Sequence, residues 1–401
     1  MKLFKIRGVI QNYDWGGSTF IPNLLGLEPT NDKCAEYWMG AHDKAPSIIL
    51  ESDEKLNDYI NNKPEQVLGK AVYEKFGKLP FLFKVLDVSD MLSIQVHPSK
   101  TEAEKGFKKE NELNIPLTAS YRNYKDDNHK PEIMVALSEF WLLHGFKPEN
   151  ELIETLNNTP ELQNLISVFK DGGYRELYEF VMKEEQSKTN AVLQPLIDRI
   201  LPLYKENKLD KTTPEFWAAK AYLTFCPGGD LDKGIYSIYF FNIVKALPGE
   251  AVFQDAGIPH AYMEGQNMEL MANSDNVLRG GLTPKHVDVD ELLKHVAFEE
   301  TIPNILTGDL QNQVERVFKS PAPDFELSSI KIDVNQNYTH ASNTLEIIIA
   351  LEGSVEIKDD KNTINLRKGE VIVIVANTNY IITNNTNDIA ILYKAKCPVV
   401  D

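Results

Sequence analysis

The stretch "PGEAVFQDAGIPHAY", Pro248–Tyr262, can be laid over "KGEVIVIVANTNYII", Lys368–Ile382. In both, a Gly-Glu pair turns the chain into a run rich in Val, Ile and Phe, the residue types that suit a pleated strand. The overlay puts His260 eleven residues after Gly249 and Tyr380 eleven residues after Gly369. Two parts of the chain therefore read as copies of one β unit, with a chance match of two turn–strand pairs as the competing reading. No histidine follows His340, so the second copy is expected to hold no metal.

Working outward, the text up to Phe146 consists of short apolar runs ("SIIL", "FLFKVL", "MLSIQVH", "IMVAL", "FWLLHGF") separated by Gly, Pro, Asn and Asp. Such punctuation predicts a mainly β unit. After "FKPEN" the period changes: Leu162, Leu165, Ile166 and Phe169 recur at helical spacing, as do Val192, Leu196 and Ile200. Strand-like text resumes at "GIYSIYFFNIVKALPGEAVFQ", "DVDELLKHV" looks helical, and the last stretch alternates again. The expected fold class is mainly β with an α insertion. Residues 1–147 and 232–305 would form one barrel, 148–231 a helical insert, and 306–401 a second barrel without metal.

A chain of 401 residues exceeds what one core usually organises. Its net charge of −17 opposes binding to nucleic acid, whose phosphates need a basic footprint. Neither a signal peptide nor an apolar run of about 18 residues is present, so a cytoplasmic protein without membrane partners is expected. Cys34, Cys226 and Cys397 are far apart and show no CxxC spacing, which leaves nitrogen and oxygen as the ligands of any metal.

Such ligands are at hand. In "SIQVHP" Gln95 and His97 fall on one face of a strand, since side chains alternate with period two. Glu132 opens the next apolar run, and His260 follows a Gly-Ile-Pro turn. Two imidazoles, a carboxylate and an amide oxygen would suit zinc. Each residue alone also suits a hydrogen-bonded core position, and spacing leaves both readings open. Beyond His260, Arg279 and Lys285 suit an oxyanion or phosphate, with solvated loop charges as the alternative. Lys84 interrupts "FLFKVL"; burial would require a carboxylate or bound anion beside it, unless its stem snorkels to the surface.

"YKDDNHKPE", Tyr124–Glu132, resembles the first signature of the type I phosphomannose isomerases, and the run from His260 to Lys285 resembles the second, departing at Gly280 where the pattern usually has alanine. "QNYDWGG", "AEYWMGAH" and "FLFKVLDVSDMLSIQVHP" extend the likeness from Met1 to about residue 300. The resemblance implies two cupin-type jelly-roll β-barrels plus a helical domain. It also implies one zinc ion per chain on Gln95, His97, Glu132 and His260, and a cytoplasmic, monomeric enzyme that interconverts mannose 6-phosphate and fructose 6-phosphate through an enediol. Arg279 would stabilise charge, Glu269 and Lys130 are the leading base candidates, and Lys84, Lys285, Ser93 and His129 would bind substrate. Asp14 and Trp15 match a family motif but suit a structural turn equally. His42, His144, His286, His295 and His340 are expected to be core or surface residues. The rivals are an iron oxygenase on the same barrel, with no need of Arg279 and Lys285, and a non-catalytic sugar-phosphate binder, which would lack a ligand or base.

Overall fold

Gly249 and Gly369 turn the chain at positive φ, 87° and 79°, in the computed structural model, which describes residues 1–28 and 31–398. The strand Ala251–Gln254 follows the first turn and Val371–Ile374 the second. They lie in different sheets. Ala251–Gln254 edges a ten-stranded sheet, and Val371–Ile374 is inside an eight-stranded one that packs against four further strands, Asn337–Ser342, Thr378–Thr383, Ser354–Lys358 and Thr363–Arg367. Thr378–Thr383 alternates buried and exposed residues, as a sheet covered on one face must. The protein is mainly β, with most of its long helices in the middle of the chain.

The strand His260–Ala272 organises the ten-stranded sheet. Its start pairs with Phe140–Phe146 and, at His260, with Gln95; from Gly265 onward it pairs with Phe81–Val88, and over Asn267–Met271 with Glu132–Ala136. The register slips between Tyr262 and Glu264, where Gly265, at φ 125°, passes so close to Glu139 that a Cβ would meet its carbonyl oxygen at 2.6 Å. Only glycine fits there. Phe81–Val88 is buried along its whole length. Phe81, Phe83 and Val85 enter a core shared with Phe4, Ile347 and Val373, while alternation turns Lys84 and Leu86 to the other face.

Four long helices, Glu149–Asn157, Leu165–Lys183, Gln186–Lys205 and Pro214–Phe225, occupy the segment where helical spacing was read. Three departures from the sequence reading have physical causes. "GIYSIYF" is the helix Gly234–Phe240, not a strand; all seven residues are buried, and a run buried on every side carries no period by which to tell the two apart. Lys100–Glu112 is a helix within the part read as mainly β, and its capping signal was legible, since Ser99 accepts from the Glu102 backbone N–H. Finally, Leu3–Arg7 pairs with Val371–Ile374 and Ile48–Ile49 with Leu3–Arg7, so two early strands cross the division drawn at residue 306 and join the later sheet at its edge.

Between the eight- and four-stranded sheets lies a buried ionic cluster. The Lys394 ammonium stands 2.8 Å from Glu315 and 4.0 Å from Glu346 and donates to the Tyr338 hydroxyl at 2.9 Å; Tyr380 donates to Glu346 at 2.7 Å. A Lys394→Met variant leaves Glu315 buried without a cation and Glu346 with only His340, 3.1 Å away, beside it; it is expected to lose about 3–5 kcal/mol of stability, read as a lower urea midpoint. Burial would raise the Glu315 carboxyl, yet Lys394, Ser328 and Tyr338 hold it down to about 2. Its stabilisation is therefore full above the ordinary glutamate range and fades as pH falls toward 2. The variant should lose much of that acid dependence.

Candidate metal centre and anion-binding rim

The short strand Gln95–Val96, with His97 following it, is held between His260 on one side and Leu278–Arg279 on the other. His97, Glu132 and His260 come together although they are far apart in sequence: candidate ligand atoms of all three lie within 4.8 Å of one another. The His97 and His260 Nε2 atoms are 3.5 and 3.4 Å from the two Glu132 oxygens. Neither Nε2 makes a hydrogen bond, although both are buried. Their other ring nitrogens explain this. His97 Nδ1 lies 2.8 Å from the Asn276 carbonyl oxygen and His260 Nδ1 2.9 Å from that of Ile258. A carbonyl only accepts, so each Nδ1 carries the proton and each Nε2 keeps a lone pair.

Two buried lone pairs aimed beside one carboxylate, with nothing to bond them, fit a divalent cation. The charge states agree. Burial and Lys130 push His97 down to about 4, against Glu132, so its imidazole is neutral near pH 7. Burial alone would raise Glu132, but Lys130 and His97 outweigh it and hold the carboxyl well below its usual range. Lys130 Nζ sits 2.8 Å from Glu132 Oε1. Gln95 lines a cavity of about 50 Å³ together with Lys84, Lys130, Glu132, His260, Tyr262 and Glu269. That is room for an ion with a few waters.

Lys84 meets carboxylates here. Its ammonium is 2.8 Å from Glu269 and 3.4 Å from Glu36, and lies over the Trp38 ring. These anions keep it protonated despite burial. Glu269 also accepts from the Tyr262 hydroxyl at 2.9 Å; burial raises its carboxyl while Lys84 pulls it down, and the net direction is up. Tyr262, Glu36 and Trp38 had no role in the sequence reading. Tyr262 was within reach of it, two residues after His260 on a strand and so on the same face; Glu36 and Trp38 become visible only through pairing with Phe81–Val88.

The cationic candidates separate. Arg279, half buried, pairs in register with Gln95 and has no carboxylate partner among the described residues; burial lowers its guanidinium below the ordinary value. Lys285 is exposed, near enough to Arg279 for the two charges to act on each other. Ser93 precedes the strand that carries Gln95 and is half buried. His129 does not line the cavity; its Nε2 is 2.8 Å from Asp324, a residue far along the chain that no local pattern could have paired with it. The space left by the missing methyl at Gly280 is taken by the Tyr178 hydroxyl. His144, read as a core residue, is buried opposite His260 in register, with burial pushing it down to about 4. A larger hollow of about 650 Å³ beside Lys183 and Asp290 is open to solvent, and its lining includes none of His97, Glu132 and His260.

Among known proteins, residues 3–149 match the model of the family described as phosphomannose isomerase type I, catalytic domain. The chain is 36% identical to the mannose-6-phosphate isomerase of Escherichia coli K12 over 402 aligned positions, covering 97% of this chain and 99% of that one. A crystal structure of a mutant phosphomannose isomerase from Salmonella typhimurium superimposes with a TM-score of 0.89 at 32% identity over 100% of both chains. A zinc-bound crystal structure of a mannose 6-phosphate isomerase does so with a TM-score of 0.86, also at 32% identity and 100% coverage of both.

Proposed function

The chain belongs to the type I phosphomannose isomerase family, and from that premise we propose that it is a zinc-dependent isomerase interconverting D-mannose 6-phosphate and D-fructose 6-phosphate. The observation that carries the reading is the pair of buried Nε2 atoms of His97 and His260, without hydrogen bonds, on either side of the Glu132 carboxylate. One zinc ion per chain would be held by these three residues and Gln95, and it supplies Lewis acidity toward the oxygens of the reacting carbons.

The chain's own residues carry the rest. Moving a proton between C2 and C1 through an enediol requires a base, and Glu269 suits that work: burial raises its carboxyl above the ordinary range, and Tyr262 and Lys84 fix both its oxygens. Lys130, held against Glu132, is the second candidate. Arg279, with no carboxylate partner among the described residues, meets the charge of the substrate, and Lys285 adds positive field at the rim. Lys84 and Ser93 position the sugar. The cavity of about 50 Å³ takes only the reacting end of a hexose phosphate, and on this reading the phosphate is met by Arg279, the register partner of Gln95 in the cavity wall. We read the ten-stranded sheet as a jelly-roll barrel of cupin type and the later sheets as a second one. The repeated glycine turn supports this, and in the second the Lys394 ammonium stands between the Glu315 and Glu346 carboxylates.

Run in deuterated water, the reaction is expected to label C1 of the fructose 6-phosphate formed, and to proceed at full rate without oxygen. A product with no solvent label would reject proton transfer through an exchangeable base. A requirement for oxygen would reject the reaction class.

A further inference from the structure

Tyr178 belongs to the helix Leu165–Lys183 and takes no part in the site as described so far. A methyl group on Gly280 would stand 2.7 Å from its hydroxyl oxygen and 3.0 Å from Ile94 Cγ2, with every other non-neighbouring atom at 3.6 Å or beyond. Gly280 lies outside the left-handed φ region, so its backbone would tolerate a side chain, and space alone decides. The tyrosine cannot swing aside. It is fully buried, its ring set against those of Phe146, Phe241 and Phe298 at 5.6, 5.9 and 6.3 Å. Its hydroxyl makes no hydrogen bond of ordinary geometry among the described residues, Ser237 being the hydroxyl that acts on it, so toward Gly280 what the oxygen contributes is volume.

Gly280 is tied to the site on both sides. Its N–H donates to the Ile94 carbonyl at 2.9 Å, the Ile94 N–H donates to the Gly281 carbonyl at 3.1 Å, and Arg279 is the register partner of Gln95. A push at Gly280 is thus passed to the Arg279 guanidinium and to the strand that bears Gln95. We propose that Tyr178 is a positioning residue: its hydroxyl, seated against Gly280, lets the helical segment set where Arg279 stands. The inference rests on the reading of Arg279 as the group that meets the charge of the substrate.

The test is a swap of volume. Gly280→Ala overfills the contact and is expected to lower kcat/KM about 30-fold, and Tyr178→Phe leaves a gap and lowers it about 3-fold. The double variant exchanges an oxygen for a methyl and should return to within about 3-fold of wild type, an interaction that independent sites do not show. Zinc per chain should stay at the wild-type level throughout, so that the losses appear in kcat per bound zinc and not in the folded fraction. The affinity for inorganic phosphate, measured by calorimetry, should follow the same order with no turnover involved. A Gly280→Ala protein with wild-type kcat/KM and phosphate affinity, or a double variant no better than Gly280→Ala, would overturn the proposal. If wild type binds phosphate without isomerising, the functional reading fails while the phosphate series still decides this one. A wild type that does neither removes both.

Discussion

A Glu132→Gln variant is expected to keep its fold, lose its zinc and turn over at least about 10³-fold more slowly. The substitution preserves shape and removes the one negative charge that stands between His97 and His260. Two imidazoles and two amides would then face a divalent cation with Lys130, 2.8 Å from Glu132 in the wild type, adding a repulsive charge. Metal analysis of the purified variant and a coupled assay give the two readings. Wild-type zinc content in the variant would show that the carboxylate is not a ligand.

Arg279→Ala separates charge stabilisation from metal binding. Arg279 makes no ion pair among the described residues, so its removal leaves no buried carboxylate stranded and should change stability little. Turnover is expected to fall about 10²- to 10³-fold, the scale of losing one preorganised charge partner. Zinc content should stay at wild type, in contrast to Glu132→Gln. Full activity in this variant would reject the role given to Arg279.

Residues brought together by strand periodicity were legible before any coordinates. Alternation put Gln95 and His97 on one face, but the strand found there is only Gln95–Val96 and His97 follows it; the glycine turns read at Gly249 and Gly369 do stand at positive φ, each leading into a strand. What stayed hidden depends on pairing between distant strands. The Asn276 carbonyl that orients His97, the Glu36 that shares Lys84, and the Asp324 that draws His129 away from the cavity are each set by tertiary register, which no local window carries. The helix Gly234–Phe240 failed for another reason: fully buried segments lose the amphipathic period on which the distinction rests. Tyr178 was read only as part of the helical insert, because nothing in its neighbourhood says that its hydroxyl ends at Gly280.

Formation of fructose 6-phosphate from mannose 6-phosphate, followed in a coupled assay before chelation, after chelation, and after zinc is returned, tests the central claim most directly. The metal centre proposed on His97, Glu132 and His260 with Gln95 predicts activity that vanishes with the chelator and comes back at about one zinc per chain. Turnover that persists in metal-free protein would contradict it.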